Sequence, residues 1–355
     1  MVKFGNIEVS DLRLGSVQPK AVYFGDELVW NAVDPVSTVF ALKFTSDADG
    51  SGFQVEGVGS PSNPPALEYS TDGGSTWSAY TIGNAVQLDS GKTAFLRASQ
   101  LNSTFSTSDS AYYRLATTGS LRLDGFLNSL HDPDGQDGAL ANWFFDKFLG
   151  NSGGLSVNLD LSGVTSLGQG ALSGFAHGVQ FGSGSTIRGF DGISALGQGA
   201  MLSAFAGSNI ECEDVMLSNL RSCQAYSGNS AFKGCQGIKR AVVGAPDAQL
   251  CALPSGAEGA DALAMFGSSG IEELSVRAAS IGETSNTNYI TTGWLANGSA
   301  NLRKVSIEAD TIGCFEFRYA FQNCTSLSSA EIKGLSSNKG GDRIFFEGFG
   351  NCTSL

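Results

Sequence analysis

The sequence predicts a mainly β protein in which a short all-β domain precedes a solenoid of stacked repeats. Three observations carry this. An apolar triplet with fixed spacing recurs as Ile238/Ala241/Val243, Ile271/Leu274/Val276, Leu302/Val305/Ile307 and Leu327/Ala330/Ile332. Upstream of it a large apolar residue recurs at Phe148, Phe175, Phe205, Phe232, Phe266, Leu295, Phe321 and Phe349, at intervals of 26 to 34 residues, which is a solenoid period. Between residues 38 and 120 the apolar residues instead alternate in short runs separated by Gly, Pro, Ser and Asp clusters, the pattern of half-buried strands.

Residues 1–32 read as a module of their own. Ala21-Val22-Tyr23-Phe24 and Leu28-Val29-Trp30 flank Gly25-Asp26, a hairpin signal. A segment of about 30 residues cannot bury an adequate core by itself. The cluster of Tyr23, Phe24, Val29 and Trp30 is therefore expected to dock on another surface. The segment resembles the short N-terminal segment, ending V-Y-x-G-x-x-x-V-W, of tail and appendage proteins encoded by bacteriophages. Here the pattern stands as Val22-Tyr23-Phe24-Gly25 followed by Val29-Trp30. The resemblance implies attachment to other virion proteins.

Asp34-Pro35 marks a linker, and residues 36–120 follow with Phe40/Leu42/Phe44, Phe53/Val55, Val86/Leu88, Phe95 and Tyr113/Leu115. Several short strands at this spacing point to an immunoglobulin-like β-sandwich. Within it, Ser70-x-Asp72-x-Gly74-x-Thr76-Trp77 matches the Asp-box of sialidases. That box is a structural hairpin, and its single occurrence here implies a stabilised turn rather than a glycosidase. Residues 121–147 are less regular and are expected to form a cap or linker, with helix-like Trp143/Phe144/Phe148 closing onto the first repeat. An open solenoid end would otherwise expose apolar layers.

The solenoid then runs over 148–355. Its unit reads apolar-Gly (Ser166-Leu167-Gly168, Ala195-Leu196-Gly197, Ser280-Ile281-Gly282, Thr311-Ile312-Gly313), then Ala-Phe, then Asn/Gly-Cys, then the triplet. This resembles the BspA-like leucine-rich repeats over roughly residues 140–355. The physical logic can be read from the residues. Alternation in Val305-Ser306-Ile307 puts both aliphatic side chains on one face of a strand that pairs with its neighbour's. The phenylalanines and Cys235, Cys324 and Cys352 fill the same layer from the opposite wall. Burying each Phe contributes about 1.5–3 kcal/mol, too little for one unit to offset its chain entropy alone.

The chain carries 21 basic and 34 acidic residues, a net charge of −13. This balance argues against a nucleic-acid partner, which would require clustered Lys and Arg. Neither an apolar run of membrane-spanning length nor the apolar core of a secretory signal stands in the sequence, so neither a membrane nor the usual export route is expected. The seven cysteines lack C-x-x-C pairing. They are expected as reduced, buried thiols, without metal or cofactor.

Three further motifs read as turns. Gly150-Asn151-Ser152-Gly153-Gly154 has a serine-protease look, but His131 and His177 are the only histidines. Asp132-Pro133-Asp134-Gly135-Gln136-Asp137-Gly138 and Asp47-Ala48-Asp49-Gly50 place carboxylates at alternate positions without the distal Glu of an EF-hand; surface turns or calcium sites are the alternatives. Asn102-Ser103-Thr104 and Asn297-Gly298-Ser299 are glycosylation sequons. The expected function is that of a non-enzymatic virion structural protein, a tail fibre or similar appendage, oligomeric, binding a bacterial surface glycan or protein through its repeats. A bacterial surface adhesin with BspA-like repeats is the alternative.

Overall fold

The computed structural model describes residues 39–102, 108, 110–150, 152–224, 226–244, 264–281, 295–312, 317, 319–334 and 347–355, and the backbone of 2–4, 7–9, 21–24, 27–31 and 251–253. The chain divides into two compact units, Met1–Thr38 and Val39–Leu355. In the first, Val2–Phe4 pairs antiparallel with Ile7–Val9, and Ala21–Phe24 with Glu27–Asn31, with a register shift after Val22. The antiparallel pair expected around positions 25 and 26 is therefore present in the backbone. The side chains of Tyr23, Phe24, Val29 and Trp30 lie outside the described residues.

The second unit is mainly β, with 37% strand over the chain. It begins with a five-stranded antiparallel sheet in the spatial order Ser78–Tyr80, Leu67–Ser70, Thr93–Ala98, Leu42–Ser46, Leu121–Phe126. A second sheet joins Val86–Leu88, Ser51–Val58 and Tyr112–Thr118. Phe44 of the first sheet stacks on Phe53 of the second at 3.8 Å, and both are buried.

Leu121–Phe126 has two roles. On one side it pairs antiparallel with Leu42–Ser46, and on the other it pairs parallel with Ser156–Asp160. The antiparallel sheet thus runs directly into the solenoid, whose first parallel ladder continues through Thr186–Arg188, Glu211–Leu217, Gly237–Val243, Glu273–Ile281, Lys304–Ile312 and Ser329–Lys333. A second ladder links Ala139–Leu140, Ser166–Leu167, Ala195–Leu196 and Ser222–Cys223. Together they make about six turns over residues 139–333. The triplets align as expected, with Ala241, Leu274, Val305 and Ala330 in one file and Val243, Val276, Ile307 and Ile332 in another. Val305 and Ile307 are both 1% exposed, on the same side of the wall.

The third wall departs from the expected helix at 143–148. It is a ribbon of overlapping turns. The N–H groups of Trp143, Phe145, Lys147 and Leu149 donate to the carbonyls of Gln169, Ala171, Ser173 and Phe175 on the next rung, whereas those of Asp146, Phe148, Gly150 and Ser152 donate three residues back. The following rung repeats the alternation from Gly170 to Val179. Backbone hydrogen bonding is thereby satisfied alternately within and between rungs, as a buried wall requires. Every fourth residue adopts positive φ, as at Gly170, Gly174 and Gly178 or Gly199, Ser203 and Gly207. That conformation cannot continue a right-handed helix.

Candidate interaction surface

The left-handed positions explain the Asn/Gly-Cys motif. Hydrogen-bond register aligns Gly178, Gly207, Gly234, Ser268, Gly298, Asn323 and Asn351 in one column, and all have positive φ. Gly and Asn are the residues that tolerate this region. The next residue turns inward. That second column holds Val179, Ser208, Cys235, Ser269, Ser299, Cys324 and Cys352, in which the serines were not recognised from the sequence because Ser is abundant everywhere in this chain. Each thiol reaches one rung back. Cys235 Sγ donates to the Phe205 carbonyl at 2.8 Å, Cys324 to Ala296 at 3.2 Å and Cys352 to Phe321 at 3.1 Å. Ser299 Oγ does the same to Phe266 at 2.7 Å.

This bonding corrects the aromatic register at three positions. Ala296, not Leu295, occupies the phenylalanine position, since Cys324 bonds its carbonyl as Cys235 bonds that of Phe205. Phe148 and Phe175 stand one residue early, because Ala176 N–H donates to Ala204 O and so aligns Ala176 with Phe205. The rings report the shift. Phe148 and Phe175 stack (24°), as do Phe205 and Phe232 (12°), Phe232 and Phe266 (5°) and Phe321 and Phe349 (25°), whereas Phe175 meets Phe205 edge-on at 67°.

Burial raises the thiols. Cys235 is pushed up to about 11 and Cys324 to about 12, with neighbouring Cys352 adding to the latter. Cys352 is half-buried rather than buried, and burial raises it too. At neutral pH these are protonated thiols serving as small apolar groups with a weak donor. Among the described residues no cluster of three or more His, Cys, Asp or Glu could hold a metal, and no helix is long and apolar enough to cross a membrane.

The motifs with catalytic resemblance are held by structural bonds. Ser152 Oγ is buried and donates to Leu115 O at 3.1 Å, while Asn151 lies outside the described residues. Asp72 closes the Asp-box turn, accepting from Thr76 Oγ1 at 2.6 Å, Thr76 N at 2.9 Å and Ser70 Oγ at 2.7 Å. These bonds lower its carboxyl to about 2, with the Thr76 hydroxyl the largest contributor. Asp132 accepts from the N–H groups of Asp134, Gln136 and Asp137. Both sequon asparagines are buried, at 5% and 9% exposure. Asn102 Nδ2 donates to Leu130 O at 3.0 Å and Asn297 Nδ2 to Tyr319 O at 3.0 Å.

The outward face of the long ladder alternates in charge from rung to rung. Directly paired residues run Asp214, Arg240, Glu273, Lys304 in one file and Arg277, Glu308, Lys333 in another. Arg240 clasps Asp214 with two bonds of 2.9 and 2.7 Å. Glu272 sits between Lys239, at 3.1 Å, and Arg303, and the Lys239 hydrogen bond is the first of the causes that lower its carboxyl. Opposite charges across adjacent strands favour this register and penalise a slip that would bring like charges together.

Beside this face, where the ribbon turns into the long ladder, lies an open cleft of about 520 Å³ lined by Gln180, Asn209, Gln236, Glu211, Lys239 and the glycines 207, 234 and 237. A smaller recess of about 230 Å³ joins Tyr112, Arg114, Lys147 and His177. Comparison with family models, curated proteins and solved structures finds no match to this chain.

Proposed function

We propose that this protein is a structural component of a bacteriophage virion, a tail fibre or similar appendage, with its repeats of BspA-like type, its first domain an immunoglobulin-like spacer, and its N-terminal segment the anchor to other virion proteins. The observation that supports the reading is the order of the units along the chain. A small separate unit with a two-stranded pair bearing Tyr23, Phe24, Val29 and Trp30 precedes a long repeat array whose outer strand face is polar. A stacked ribbon of this kind offers an extended surface to a partner. The chemistry that could suggest an enzyme is engaged elsewhere, since the Ser152 hydroxyl is buried in a bond to Leu115.

The same array would serve a bacterial surface adhesin, which makes particle association the deciding observable. Antibody raised to this chain should decorate purified virions at the tail in electron micrographs. Labelling of the bacterial envelope in uninfected cells, with bare particles, would replace the virion reading with the adhesin one.

A further inference from the structure

The open cleft has a feature that a generic surface recess lacks: its amides repeat in register along the solenoid axis. Gln180, Asn209 and Gln236 each stand two residues after the left-handed column of Gly178, Gly207 and Gly234, so one amide projects per rung, roughly every 4.8 Å. The amides are fixed. Gln180 Nε2 donates to Gly207 O at 2.9 Å, Gln236 Nε2 to Ser268 O at 2.8 Å, and Asn209 exchanges two bonds with the Phe181 backbone. Gln236 has both amide hydrogens committed, whereas Gln180 and Asn209 each keep one, so each rung presents a fixed amide with hydrogen-bonding capacity to spare. Among the described residues no donor reaches the side-chain oxygens of Gln180, Gln236 or Glu211.

Ordered amides that both donate and accept, without a large apolar side chain among the lining residues, suit a ligand rich in hydroxyl groups. An extended peptide advances about 3.3 Å per residue and falls out of step with the rungs, whereas a linear chain of pyranose units advances by close to one rung per sugar. The charge balance selects further. Glu211 and Lys239 both line the cleft and offset each other, so it carries no net positive charge to hold an anionic sugar. We infer that this cleft binds a neutral, linear polysaccharide lying along the solenoid axis, one sugar per rung; this rests on reading the repeats as the host-binding part of the protein.

The test uses substitutions that the fold itself already accommodates. Asn323 and Asn351 occupy the same left-handed column at φ 64 and 62, and a Cβ at Gly207 or Gly234 would meet its nearest atoms at 3.9 and 3.6 Å. Gly207→Asn with Gly234→Asn should therefore fold normally, checked by circular dichroism and Tm, while filling the cleft. Calorimetric titration of the full chain with neutral β-linked glucan, mannan and galactan oligomers of increasing length should show affinity that climbs to roughly three units, one per rung, and then levels. The double variant should lose about tenfold or more of that affinity, and Gly298→Asn, in the same column outside the cleft, should keep it. Failure of every neutral oligomer to bind, equal binding by the double variant, or preference for acidic oligomers would overturn the inference. Adhesion of fluorescent full chain to host cells separates the two readings. Equal adhesion by wild type and double variant sinks the cleft but leaves host attachment standing, and no adhesion by wild type sinks host attachment while the oligomer titration still judges the cleft.

Discussion

Phe205 and Phe232, one rung apart, stack with ring centroids 5.2 Å apart and planes 12° from parallel, while the preceding ring, Phe175, meets Phe205 at 67°. The change marks the point where the aromatic moves from the first to the second residue of an inward-facing pair, from Phe175-Ala176 to Ala204-Phe205. Both residues of each pair are fully buried, so either can carry the bulk.

Phe205→Ala alone should cost about 3–5 kcal/mol, through lost transfer energy and the cavity left behind. Adding Ala204→Phe, which rebuilds the arrangement of the rung before, should recover more than half of that loss. Urea midpoints of the two variants compare them directly, and a double variant no more stable than the single one would refute the interchangeability of the two positions.

The buried thiols make the solenoid sensitive to alkali. Their pKa values are raised in the folded state, to about 11 for Cys235 and about 12 for Cys324, against about 8.5 for an exposed thiol. Their contribution is fully present below that unfolded value and is lost as pH rises through the folded ones. Melting temperature should therefore fall more steeply between about pH 9 and 12 in wild type than in a variant carrying Cys235→Ser and Cys324→Ser. Serine already occupies equivalent positions at Ser208 and Ser299, so the variant should fold. Identical slopes would show that the thiols do not contribute.

At the other end of the scale, Asp72 should titrate near pH 2 by carboxyl NMR. Its depressed value means that the turn is supported above the unfolded carboxylate range and loosens as pH falls through about 2. Thr76→Ala removes the hydroxyl that contributes most and should move the titration up towards the ordinary Asp value. An unchanged titration would assign the shift elsewhere.

Secretion through a glycosylating pathway should leave both sequons bare, since Asn102 and Asn297 spend their side-chain N–H groups on Leu130 and Tyr319 inside the fold. Intact-mass spectrometry of the folded, secreted chain should show no added glycan on either residue, and occupancy at Asn297 would contradict its placement between rungs.

Much of the solenoid was legible because aliphatic alternation and period are direct consequences of strand pairing. Leu274, Val305 and Ile307 fall into file from their spacing alone, and so do Cys235, Cys324 and Cys352. The ribbon was not legible in the same way. A residue of positive φ every fourth position resembles helical spacing in a string of letters, and only the backbone torsions show Gly174, Ser203 and Ser230 to be left-handed. Ala296 was missed because the neighbouring Leu295 offered the larger side chain, although the pair as a whole supplies the volume. The amides of the cleft were invisible for another reason: Gln180, Asn209 and Gln236 lie 27 to 29 residues apart, and their common alignment exists only once the rungs are stacked. Short strands stand where the alternation over residues 36–120 placed them, but their sheet continues through Leu121–Phe126 into the first rung, a continuity that no local pattern announces.

The functional account stands most directly on residues 1–32 as the anchor. Particles assembled with a chain lacking that segment should be devoid of the protein by immunoblot of purified virions, although the truncated chain, its unit Val39–Leu355 intact, accumulates folded in the infected cell. Normal incorporation of the truncated chain into virions would contradict the account.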